Sequence, residues 1–337
     1  MKKLIIVLLL YCSTSIAGEV NIFSARHYDS DLDLYNKFTE ETGIKINVVS
    51  GDDKALQKRI TEEDKDCVGD LYITSDAGRL GELESKDILQ KINWSEEIKN
   101  KVPKNFRSDA WVGIAKRARI LFYSPERVKE YEIQNLSYED LADPRWKGRI
   151  VIRQSDNIYN QSLIASLIEN NGKDKTLKWA KSIVNNMARS PKGNDRAQIL
   201  AVAAGEADLA VANTYYYALM LSGQKGEEQK IAAKKVTPYF PNQNNRGTHM
   251  NISGVGILKF SPNKSNAIKL IEFLLSKEAQ DHIVNNTFEY PMIENVLPNE
   301  LVPGKDLNFK QDNSTDVKLY WDKQSEALKI MLLAGWK

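Results

Sequence analysis

The chain has 337 residues, 42% of them hydrophobic, with 47 basic and 45 acidic side chains and two cysteines. So even a charge balance excludes the basic surface that nucleic-acid binding needs, and two cysteines exclude a disulfide framework. The length exceeds what one hydrophobic core usually supports and predicts two lobes.

In chain order, the first segment is MKKLIIVLLLYCSTSIAGEV, with Lys2 and Lys3, an apolar run from Leu4 to Leu10, and small residues at Ser15 and Ala17. This is the pattern of a secretory signal peptide over 1–17, and its apolar run is too short to span a bilayer. It predicts that the mature chain is exported and soluble. Cys12 raises lipid anchoring as an alternative, which bulky Tyr11 disfavours because an attachment signal takes a small residue there. Without Lys2 and Lys3 the basic count falls from 47 to 45 and equals the acidic count, and Cys67 remains without an intramolecular disulfide partner.

Strand-length apolar runs then alternate with helix-period segments. The strand EVNIFSA leads into the helix DSDLDLYNKFTEETG, where Leu32, Tyr35 and Phe38 recur at helical spacing and Gly43 supplies a stop. The strand IKINVVS follows, completing a βαβ unit whose first turn, ARHYDSD, lies at a strand's carboxyl end, where open α/β sheets bind ligands. The helix DKALQKRITEE, the strand GDLYITS, the strand GRIVIRQSD and the helix QSLIASLIENNG continue the rhythm. In NDRAQILAVAAGEADLAVANTYYYALM we read a helix capped by Asn194 or Asp195 and stopped at Gly205, the strand ADLAVA, and a new helix from near Thr214. YFPNQNNRGTHM reads as a polar loop near a lobe boundary. The strand NISGVGILKF precedes the helical SPNKSNAIKLIEFLLSKEAQDHIV, with Ile268, Ile271 and Leu275 on one face. The fold class expected is α/β with largely parallel sheets flanked by helices.

Catalytic signatures are missing: G-x-S-x-G, H-E-x-x-H, the P-loop and a G-x-G-x-x-G after a strand do not occur. DNSTD near residue 312 resembles the start of a calcium loop but lacks its glycine and terminal glutamate, and reads as a solvated turn. Three histidines and one mature cysteine are little material for zinc. A non-enzyme is expected.

What the chain offers instead is tyrosine just beyond three strand ends: Tyr28, Tyr159, and the pair Tyr215 and Tyr216. One such tyrosine alone ordinarily packs its ring and bonds its hydroxyl; the repeated position points to a shared cleft. Phenolate is a hard oxygen donor suited to a hard, highly charged cation, and ferric iron is the obvious candidate. A free phenol ionises near pH 10, so binding must displace protons and acid must favour release. Arg26, Arg117 or Arg119 would hold an anion or neutralise excess phenolate charge. Successive helical residues turn by about 100°, so Tyr215 and Tyr216 aim at one point while Tyr217 is turned by about 200° from Tyr215 and packs. Tyr215 and Tyr216 also stand at the positive end of the helix dipole. His27 is either a fifth ligand or a hydrogen-bonding residue of the turn, whereas His249 and His282 are left out of the site.

The segments VNIFSARHYDSD, FTEETGIKINVV, GDLYITSDAGRL, DPRWKGRIVIR, GEADLAVANTYYY, NISGVGILK and LLSKEAQ together resemble the periplasmic ferric-ion-binding proteins of ABC-type iron uptake systems. The resemblance covers nearly the whole mature chain, and the Tyr215–Tyr216 pair carries most of it. It implies a type II periplasmic binding protein with crossing hinge strands, 18–115 and 250–290 forming the first lobe and 116–249 and 291–337 the second. It implies Tyr28, Tyr159, Tyr215 and Tyr216 as iron ligands of a tyrosine-rich branch, with His27 where some relatives use histidine. It further implies Fe(3+) as cargo, with room for a synergistic anion such as carbonate, an inner-membrane ABC permease as partner, and a monomer. The alternatives are a binding protein of the same fold for an organic solute such as a polyamine, sulfonate or thiamine-like compound, and a secreted hydrolase.

Overall fold

The computed structural model describes residues 18–26 and 28–337. The expected leader 1–17 and His27 lie outside the described residues. Nine strands are described: β1 (Glu19–Ser24), β2 (Lys45–Ser50), β3 (Leu71–Ser75), β4 (Trp111–Tyr123), β5 (Ile150–Val151), β6 (Leu209–Asn213), β7 (Thr237–Tyr239), β8 (Met250–Ile257) and β9 (Tyr290–Pro291). Their order is β2-β1-β3-β8-β4-β6-β5, with β7 and β9 also paired to β4.

The chain folds as two-lobed α/β, and its sheets are mixed. The β1–β2, β1–β3 and β5–β6 pairs are parallel, as the βαβ rhythm predicts. β8 instead runs antiparallel to both β3 and β4, and β4 antiparallel to β6. The long strand β4 links the two halves. From Trp111 to Ala118 it pairs with β8, with an irregularity between Gly113 and Ala115, and from Arg119 to Tyr123 it pairs with β6. β8 packs tightly enough that a Cβ on Gly254 would come within 2.6 Å of Leu80 and 2.8 Å of the Val112 carbonyl. Only glycine permits that approach.

The helix Ser30–Thr42 shows how local sequence sets the frame. It ends where Gly43, at φ 72°, donates its N–H to the Thr39 carbonyl. Its buried stripe is Leu34, Tyr35 and Phe38, each contributing about 1.5–3 kcal/mol by burial. Leu32, expected on that stripe, is exposed; the one-sided count missed that Leu34 shares a face with Phe38.

Other departures are local. The segment expected as one helix over 261–284 is two, Lys264–Leu274 and Lys277–Thr287, because the Ser276 hydroxyl accepts the Ala279 N–H and starts a new helix. The run GRIVIRQSD forms only the short β5. The loop after β7 is polar but not wholly solvated, since Asn242, Thr248 and His249 are buried. Likewise DNSTD is a turn whose Asp312 is buried, its carboxylate accepting from the Ser314 and Thr315 N–H and hydroxyl groups. Asn194 caps the helix Asp195–Ala203, as expected, by accepting from Ala197.

Candidate metal centre

The turn after β1 is built around Arg26. The Ser24 hydroxyl donates to the Arg26 carbonyl and accepts the Arg26 N–H, and the buried guanidinium donates to Asp31 at 2.9 Å and Glu289 at 2.7 Å. Its carbon lies 4.6 Å from the centre of the Tyr28 ring, so the same side chain that closes the turn supports the phenol.

The other phenols start helices. Tyr159 is the second residue of Ile158–Asn171, and Tyr215 and Tyr216 are the second and third of Thr214–Leu221. Neither helix has a side-chain hydrogen bond from its capping asparagine, Asn157 or Asn213, and the tyrosines lie in the first turn, at the positive end of the helix dipole, which favours negative charge there. Arg119 ties the two helix starts together: it donates to Asn160 at 2.7 Å and to Asn213 at 3.0 Å, and pairs with Asp195 at 3.2 Å. It therefore positions the tyrosines from behind.

Tyr28, Tyr159, Tyr215 and Tyr216 line one cavity of 430 Å³, with Arg26 and Ser75 among its other walls. The Tyr215 and Tyr159 hydroxyls are 3.4 Å apart, and the Tyr215 and Tyr216 rings lie 4.2 Å centre to centre. Tyr217 points elsewhere: its ring packs on Phe122 at 5.1 Å and its hydroxyl donates to the Val236 carbonyl. His249 is buried against Tyr320, and His282 bonds the Ser30 carbonyl at 2.7 Å; neither lines the cavity.

Charge under the cavity is arranged in layers. Glu289 is shared by Arg26 and by Arg117, 3.1 Å away, and Arg117 lies 5.3 Å from the centre of the Tyr159 ring. Arg153 flanks the same ring at 5.7 Å. Arg26, Arg117 and Arg119 are expected from the sequence, whereas Glu289, 263 positions from Arg26, and Arg153 are announced by no local pattern. Burial, then Glu289, pushes the Tyr28 phenol well above its usual range, and burial with neighbouring phenols does the same to Tyr215 and Tyr216. Such groups are neutral at neutral pH until a strong cation offsets the cost of ionising them. No group of three His, Cys, Asp or Glu side chains suited to a metal occurs among the described residues, so the donors gathered here are phenolic oxygens.

Comparison with known proteins identifies the family to which the chain belongs. The family model for bacterial extracellular solute-binding proteins matches residues 68–316. Iron uptake protein A1 of Synechocystis is 46% identical over 321 residues, 95% of this chain and 88% of that protein. The solved structure of the Trichodesmium protein IdiA (FutA), in complex with iron and citrate ligands, superposes with a TM-score of 0.90 at 46% identity, covering 95% of this chain and all of that one. The ferric binding protein from Campylobacter jejuni superposes at 0.86 with 37% identity, over 94% of this chain and all of its own. The chain belongs to the bacterial extracellular solute-binding protein family and stands within it among the iron uptake and ferric-binding proteins.

Proposed function

We propose that this protein binds ferric iron in the cleft through the phenolates of Tyr28, Tyr159, Tyr215 and Tyr216 and delivers it in the periplasm to an ABC-type permease. The observation that carries the reading is the convergence of four phenols from three separate strand ends on one cavity. The lobes are 18–115 with 250–290, and 116–249 with 291–337. On that division Tyr28 comes from the first and the other three from the second, so the ion bridges them and favours the closed form. The permease then distinguishes loaded from empty protein by shape.

His27 stands next to Tyr28 in sequence and is a further ligand in this reading. The shell has room for, but does not require, an exogenous oxygen anion such as carbonate or the citrate found with the Trichodesmium relative. No catalysis is involved, and the protein acts as a monomer. The test is equilibrium dialysis of metal-free protein against ferric citrate with iron analysis. One ferric ion retained per chain is expected; retention no greater than by an unrelated protein overturns the proposal.

A further inference from the structure

Successive residues of a strand face opposite sides, and β4 uses this. Arg117 reaches Glu289 and the Tyr159 ring, while Lys116 reaches a separate groove of 990 Å³ on the other side of the strand. That groove shares no residue with the tyrosine-lined cavity.

Its floor includes Phe106, Met292 and Phe309, and its charged lining is Lys101, Lys116, Arg246 and Lys310 against a single acid, Glu294. Three of those cations already have partners: Lys101 pairs with Glu97, Arg246 with Glu139, and Lys310 bonds the Asn245 carbonyl. Lys116 has no carboxylate partner among the described residues and lies 5.8 Å from the centre of the Phe106 ring. Beside Phe106, the Nδ2 of Asn105 is buried with no acceptor. Lys116 therefore lies over the apolar floor and the Asn105 amide beside it, both without an acceptor among the described residues. A desolvated ammonium and an unpaired amide N–H both gain from an incoming anionic oxygen. Burial lowers the Lys116 ammonium to about 8, with Glu294 opposing, in keeping with a charge that lacks a close counter-ion.

We propose that this groove is a second binding site, for a small organic anion with an apolar body. An alkyl or aryl carboxylate would place its head on Lys116 and Asn105 and its body along Phe106, Met292 and Phe309. The volume and mixed lining suit a small-molecule site, and the excess of positive over negative side chains sets the sign of the ligand.

Isothermal titration of the full chain with sodium octanoate tests this, with acetate as the probe lacking a body and octylammonium as the probe of opposite charge. Octanoate is expected to saturate one site, with the two controls weaker by about tenfold or more. Lys116→Gln should weaken octanoate by about tenfold or more, while Lys116→Arg retains it. Asn105→Ala should weaken it as well and supplies the same reading if Lys116→Gln does not fold. An absence of saturable binding, octylammonium binding as tightly as octanoate, or octanoate affinity unchanged in the folded variants overturns the proposal.

Discussion

The Tyr215 hydroxyl donates to the Tyr159 hydroxyl across 3.4 Å, between residues 56 positions apart in the chain. Two phenols from the first turns of different helices therefore share a proton-bearing contact in the cavity of the proposed iron site. In the proposed binding, a trivalent ion would displace the protons of both phenols and turn this weak hydrogen bond into two metal–oxygen bonds.

Binding should accordingly release protons. Burial holds Tyr28, Tyr215 and Tyr216 above their usual range, so each is protonated in the metal-free protein at neutral pH. Each proton displaced makes affinity rise about tenfold per pH unit. Ferric affinity measured by chelator competition should thus fall steeply as pH drops. An affinity independent of pH, after correction for the chelator, contradicts this.

Tyr217 separates packing from binding. Its hydroxyl bonds the Val236 carbonyl at 3.3 Å, so Tyr217→Phe should cost about 1 kcal/mol of stability in urea unfolding and leave iron affinity unchanged. A large loss of iron affinity contradicts the placement of its ring on Phe122.

Much of this division was legible in the sequence, since helical phase alone turns Tyr217 away from Tyr215, and the strand-end positions of Tyr28 and Tyr159 were visible as periodicity. What was illegible depends on distant contacts. Arg26 and Glu289 meet across 263 positions, and nothing near either residue predicts the pair. The helix break at Ser276 was hidden because the apolar spacing continues across it. The antiparallel course of β8 is set by its neighbours β3 and β4 rather than by its own residues.

Glu289 should prove structural as well as electrostatic. It is the shared counter-charge of Arg26 and Arg117, all three buried. Glu289→Gln should therefore lower the stability of the metal-free protein by about 3 kcal/mol, as breaking a buried ion pair does. A loss below about 1 kcal/mol in urea unfolding contradicts that role.

His249 should shape the acid limb of stability. Burial, with Arg119, Arg246 and Arg117 nearby, lowers its imidazole from 6.5 to about 3. Between those values the unfolded chain binds a proton that the fold does not, so stability falls as pH falls, by at most about 1.4 kcal/mol per unit from this group. His249→Gln removes that dependence, and unfolding measured from pH 7 to pH 4 should show a flatter slope than the parent. An unchanged slope contradicts it.

The most direct test of the central claim is the visible spectrum during ferric titration of the parent protein and of Tyr159→Phe, Tyr215→Phe, Tyr216→Phe and Tyr217→Phe. Phenolate bound to ferric iron gives an orange to red charge-transfer band. The parent and Tyr217→Phe should develop it to the same intensity, and the other three should lose most of it. A colourless parent, or full colour in Tyr215→Phe and Tyr216→Phe, would contradict iron binding by these phenols.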